Sequence, residues 1–327
     1  MAVVRPNILT DDVARQKFGE GVNLLKQDFA GGVTTQTLGF GGTAFPVSTF
    51  DQFVIWHFVA MNTMTPEDAP NPRGRNAAHR GSIFLPWHRF MLLLFEWNLQ
   101  RVLEDDTFGL PYWDWAADGD LDPADQVSSA LWTDSGIGGD GNVSSGPFAY
   151  DENDPQSFRL HFYQDLRTGR FMYDAPGRAL LRQLGSADSL PTTAEVADAV
   201  QSQTEYDSDD WDSGSPGFRN VVEGWIFSPP TAGSGLHNRV HVWIGGDMGP
   251  GTSPNDPAFY LNHCNVDRIW EAWMADHGRL YEPAPDRPGA PVGHRLNDTI
   301  NSLVTSATTT PNQMLDLATL YTYDSLT

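Results

Sequence analysis

The sequence predicts a mainly α-helical fold with long loop excursions and little β structure. Three observations lead there. Apolar residues recur at helical spacing in residues 11–29, 50–62 and 88–105, and again between Asp256 and Gly278. Capping residues, glycines or prolines bound each of these stretches. Between Gly119 and Asn220 the composition turns to Asp, Gly, Ser and Pro with short apolar islands, which predicts surface excursions rather than a second core.

The elements follow in order. Residues 11–29 form an amphipathic helix whose apolar positions are Val13, Phe18, Val22, Leu24 and Leu25. After a glycine-rich connection, Ser48 and Thr49 offer caps for FDQFVIWHFVAMN, where Phe50, Phe53, Val54, His57, Phe58 and Met61 share one side. A polar loop leads to AAHRGSIFLPWHRFMLLLFEWNLQRVLEDD. There Pro86 is expected to break any earlier helix, so that His88 opens a new one running to about Asp105. Short helices are expected near 176–184 and 193–203. FRNVVEGW, a loop and LHNRVHVWIGGDM come next, then a helix ending at Gly278. The tail predicts one short helix from Asn312 to Tyr321.

Composition narrows the function classes. The 327 residues hold 42 Asp plus Glu against 20 Lys plus Arg, a formal charge of −22. No nucleic-acid binder or partner of anionic membranes is expected from that balance, since both need a basic face. No apolar run is long enough to span a membrane and no signal peptide is visible at the start, so the expectation is a soluble protein, cytoplasmic or exported with a partner. The single cysteine, Cys264, excludes an internal disulfide, a Cys-based zinc site and an iron–sulfur cluster. Nine histidines remain for metal chemistry.

Six of them fall into two trios, His57, His79 and His88, and His237, His241 and His263. His237 and His241 are four apart, on one face of a helix, and their imidazoles can converge on one ion. His263 follows a turn-rich loop just ahead of another helix. In the first trio His57 sits within a helix, His88 at a helix start and His79 on the approach between them. Six imidazoles buried without partners would cost several kcal/mol, so a shared metal is the economical reading. His161, His277 and His294 stand in polar stretches and are read as ordinary histidines. The Glu-x-x-His pattern of di-iron sites is missing. Three histidines with an open position could hold zinc, as in a hydrolase, whereas two adjacent all-imidazole sites favour copper and dioxygen chemistry.

The segments AAHRGSIFLPWHRFMLLLFE, GLHNRVHVWIGGDM and SPNDPAFYLNHCNVDRIWEAW resemble the two copper-binding regions of type 3 copper proteins, in particular bacterial tyrosinases and polyphenol oxidases. FDQFVIWH and the Tyr321-x-Tyr323 pair near the end are similar as well, so the likeness runs over almost the whole chain; residues 120–215 match least. The resemblance implies one catalytic domain over residues 1–327, in which a four-helix bundle holds a dicopper centre. It assigns the first copper ion to His57, His79 and His88 and the second to His237, His241 and His263, with O2 as co-substrate and phenolic small molecules as substrates. Glu223 and Asn238 match a pair that assists deprotonation of a monophenol. Gly251 and Val242 match positions at the substrate gate, and glycine at 251 implies an open mouth.

Some features depart from the family pattern. Ala77 stands where many eukaryotic relatives cross-link a cysteine to the second ligand, so no thioether is expected. Asn262 precedes His263 where many relatives carry another histidine. The loop between Glu223 and His237 is longer than in compact bacterial relatives. The chain ends soon after Tyr323, which leaves no room for a C-terminal shielding domain and implies copper delivery by a separate small chaperone. The rival readings are a catechol or o-aminophenol oxidase without monophenol hydroxylation, a haemocyanin-like O2 carrier and a dizinc hydrolase. Arg89 and Arg268 are expected to pair with acids, Asp267 and Asp114 being the candidates.

Overall fold

A computed structural model describes residues 2–69, 71, 74–165, 167–226 and 235–326. The first helix, α1 (Asp12–Gln27), is capped by the Asp11 side chain, which accepts from the Ala14 N–H. Gly21 of α1 lies so close to Leu99 that a Cβ there would come within 2.8 Å of it, so glycine sets the approach of α1 to its neighbour. Helix α2 (Thr49–Asn62) is capped by Ser48. The long α3 (Phe84–Leu103) ends on Glu104 in the left-handed region. Short helices α4 (Trp115–Gly119), α5 (Pro123–Gln126), α6 (Thr193–Ser202) and α7 (Phe218–Glu223) lead to α8 (Leu236–Ile244) and α9 (Ala258–His277). Helices α2, α3, α8 and α9 form the bundle.

The β structure is confined to two-stranded pieces. They are built from β1 (Val3–Arg5), β2 (Gly141–Asn142), β3 (Leu160–Gln164), β4 (Phe171–Arg178), β5 (Leu181–Arg182), β6 (Ile300–Asn301), β7 (Thr308–Thr309) and β8 (Tyr321–Tyr323). Pairing of β1 with β8 is parallel; β2–β5, β3–β4 and β6–β7 are antiparallel. Side chains of the acidic excursion, among them Phe148, Phe158, Leu180 and Leu190, enter the same apolar core as the helices. The β3–β4 hairpin packs on the outer side of α2, where the Phe171 ring stacks on Phe58 with centroids 4.4 Å apart. Trp56, Trp87, Trp113, Trp115, Trp243, Trp270 and Trp273 are buried, and Trp97 is at the rim.

Both expected arginine pairs form. Arg89 Nε donates to Asp267 at 2.5 Å, and Arg268 lies 3.3 Å from Asp114. Asp267 is also the meeting point of the chain ends. It accepts from the Tyr321 and Tyr323 hydroxyls at 2.6 and 2.5 Å and from Arg5 at 3.2 Å. The parallel strand pair at the termini is therefore pinned to α9 by a buried carboxylate with four partners.

Four expectations are corrected. α3 starts at Phe84, not His88: Pro86 falls in the first turn, where a missing N–H costs nothing and the fixed φ suits a helix. Residues 176–184 hold the end of β4 and the short β5 rather than a helix, because Pro176 and Gly177, at φ 71°, disfavour helix and the segment finds partners in β2 and β3. The tail makes only a 3₁₀ turn, Asn312–Met314, since Tyr321 and Tyr323 are taken by pairing with β1. His294 is fully buried, not in polar surroundings.

Candidate metal centre

Each element delivers its histidine to one place. His57 lies on the inner side of α2, His88 in the second turn of α3 and His263 in the second turn of α9, while His237 and His241 stand one turn apart on α8. His79 comes from the loop before α3. The ligand atoms of His57, His79 and His88 lie within 4.8 Å of one another, and so do those of His237, His241 and His263. The two trios adjoin: the His88 ring stacks on His263 with centroids 4.1 Å apart and planes 10° apart. Phe259 packs on His57 and His263, and Phe84 on His79 and His237, so apolar rings flank both trios.

Ring orientation is fixed by backbone carbonyls. Nδ1 of His57 donates to Gly251 O at 2.7 Å, that of His88 to Phe84 O at 2.8 Å and that of His241 to Met248 O at 2.8 Å. Nδ1 of His237 donates to Glu223 O at 3.1 Å and reaches Asn238 Oδ1 at 3.2 Å. A proton on Nδ1 leaves a lone pair on Nε2, the arrangement a metal-ligating histidine needs. The Nε2 atoms of His57, His88 and His241 are buried without a hydrogen-bond partner among the described residues. His237 Nε2 and His263 Nε2 face each other at 3.1 Å, as two donors to one cation do. Burial pushes His57 down to about 3 and His241 to about 4, and lowers the other four strongly, so all six are neutral at pH 7. Orphaned nitrogens, neutral rings and an all-imidazole donor set fit two copper ions.

The other predicted residues fall around this centre. Glu223, at the end of α7, is buried. Its carboxylate accepts from the Arg80 N–H at 2.6 Å and from Arg219 at 3.0 Å, while its carbonyl accepts a hydrogen bond from His237 Nδ1. Burial raises its pKa, with Arg219 pulling the other way. Asn238 is half-buried, and Val242, after His241 on α8, is exposed. Gly251 is buried: its N–H donates to Gln164 of β3, and a Cβ there would touch Gln164, Met61 and Phe58 at 3.4 Å. Residues 227–234 lie outside the described residues, and with them most of the loop between Glu223 and His237. Sequence reasoning missed Arg219, although its place four residues before Glu223 on a helix was a usable signal. It also missed the Gly251 and Met248 carbonyls, which carry no side-chain signal at all.

A helical bundle that turns two all-imidazole trios toward each other defines a dicopper protein of the type 3 class. Comparison with known proteins agrees. The model of the common central domain of tyrosinase matches residues 47–276. Tyrosinase of Streptomyces antibioticus is 40% identical over 285 residues, 84% of this chain and 89% of that protein. Grixazone synthase of Streptomyces griseus is 34% identical over 296 residues, covering 84% and 90%. The structure of a polyphenol oxidase from Thermothelomyces thermophila superposes with a TM-score of 0.70 over 99% of this chain and 89% of that one, at 22% identity, a likeness of fold. The chain belongs to the tyrosinase family. Among the described residues no helix is long and apolar enough to cross a membrane.

Proposed function

We propose that this centre oxidises phenols with Glu223 and Asn238 as the proton-handling pair. The chain is a copper-dependent monophenol monooxygenase and o-diphenol oxidase, with O2 as co-substrate. One observation carries the reading: six neutral imidazoles in two adjoining trios, with the His88 ring stacked on His263 at 4.1 Å. Bound copper supplies the two-electron redox chemistry. Overall, a monophenol and O2 give an o-quinone and water.

The protein's part is geometry and proton transfer. His57, His79 and His88 would hold one ion and His237, His241 and His263 the other. Phe84 and Phe259 keep competing water out. Glu223 accepts the phenol proton, directly or through a water held with Asn238. Support comes from its place beside His237, and burial raises its affinity for a proton. Arg219 and the Arg80 N–H hold the carboxylate in position meanwhile. Val242 forms the outer lip of the mouth. Gly251, which has no side chain to press on Phe58 and Met61, keeps the inner wall short and admits bulky phenols. Copper delivery by a separate chaperone is part of the same reading.

The test is copper analysis of the loaded protein together with turnover of a monophenol and of its catechol. Two coppers per chain and turnover of both support the proposal. Catechol turnover alone removes the monophenol step.

A further inference from the structure

His79 is held differently from the other ligands. Four of them anchor Nδ1 on a carbonyl, and His263, whose Nδ1 has no partner among the described residues, is fixed by its place in the 20-residue α9. His79 rides on a loop, and its Nδ1 is buried with no partner among the described residues. Its position therefore depends on its backbone. That backbone is gathered by Asn76, whose Oδ1 accepts from the Ala78 N–H at 3.1 Å and the His79 N–H at 2.8 Å, while the Asn76 N–H donates to His79 O at 3.1 Å.

The turn is gripped from behind by a residue 218 positions away. His294 is fully buried, and its Nε2 donates to Asn76 O at 3.0 Å. The opposite edge of its ring lies against Gly81. A Cβ at Gly81 would come within 2.5 Å of His294 Nδ1 and 3.0 Å of Trp211 O, so ring, glycine and carbonyl are stacked without slack. His294 is itself fixed, since the Tyr281 hydroxyl donates to its carbonyl at 2.7 Å. Alanine at 77 leaves no covalent link that could do this work.

We propose that His294 is a positioning residue for the first copper site: through Asn76 it holds the turn that presents His79. It touches neither substrate nor metal, and it acts only on the geometry of one ligand.

The test uses the copper-loaded, reduced full chain and follows release of each of its two coppers to excess Cu(I) chelator. His294→Leu removes the donor at similar volume, Asn76→Ala removes the Oδ1 acceptor, and His294→Gln keeps an N–H within reach. Loss of a group that orients a ligand predicts one copper leaving roughly 10-fold faster in H294L and N76A, the other at the wild-type rate, and H294Q within about 3-fold of wild type. Both coppers leaving at wild-type rates in H294L or N76A overturns the proposal. So does equal acceleration of both, the mark of general loosening. If H294L does not fold, N76A decides by the same criterion. A wild-type chain that binds fewer than two coppers overturns the dicopper reading itself, which is a separate result.

Discussion

Glu223→Gln separates proton transfer from scaffolding, because it leaves the side chain's shape intact. In the native site Oε1 accepts from the Arg80 N–H and Oε2 from Arg219. A glutamine can satisfy the first, but its NH2 then faces the Arg219 donor. One charge-assisted hydrogen bond is lost, about 2 kcal/mol. The larger cost of a stranded buried charge does not arise, because Asp207 still holds Arg219 through two bonds of 3.0 Å. Spread over the unfolding entropy of a chain this size, that loss lowers Tm by roughly 3 °C. The catalytic effect is larger. Removing a positioned proton acceptor lowers monophenol kcat/KM about 100-fold, a barrier increase of roughly 2.7 kcal/mol. Catechol oxidation also releases protons, but the first hydroxyl of a catechol is more acidic than that of a simple phenol and leans less on a positioned acceptor, so its kcat/KM should fall clearly less, by under about 10-fold. The assay is steady-state quinone formation from a monophenol and its catechol at equal copper content, beside a thermal melt. An equal fall in both activities, or none in either, would refute the assignment.

Other outcomes follow from the same geometry. At Gly251, Ala meets its neighbours at contact distance and should leave stability within about 0.5 kcal/mol, whereas Gly251→Phe should lower kcat/KM for bulky phenols more than for small ones; equal effects on both remove Gly251 from the gate. Asp267→Asn weakens its bonds to Arg5, Arg89, Tyr321 and Tyr323 together, but Arg5 keeps Glu96 and Arg89 keeps Glu271, so the charge-assisted bonds lost should cost about 2–4 kcal/mol in urea unfolding, with a loss under about 1 kcal/mol contradicting its place as the hub. In the copper-free chain His57 and His294 are pushed by burial to about 3 from 6.5. The unfolded chain then binds protons that the folded one refuses, so stability falls as pH drops below about 6.5 and each residue costs about 2 kcal/mol between pH 7 and 5. Melts of the apo chain at those two pH values check this, and an unchanged Tm counts against it.

The sequence by itself determined the main helices and the grouping of six histidines into two trios. Periodicity and spacing are local: the apolar face around His57, the His237–His241 pair and the stop at Gly278 each lie within a few turns of one helix. The boundary error at Pro86 was local too, since a first-turn proline and a helix breaker look alike until the upstream residues are placed. Tertiary structure alone decided which ring nitrogen faces the metal. The carbonyl that orients His57 belongs to Gly251, 194 residues away, and a carbonyl leaves no trace in residue type. It also decided that His294, polar by its neighbours in sequence, is buried behind the His79 turn, and that one carboxylate, Asp267, joins both chain ends to α9. Hydrogen bonds are directional and short. A sequence can name the groups able to make them, but only the packed chain brings a donor to its acceptor.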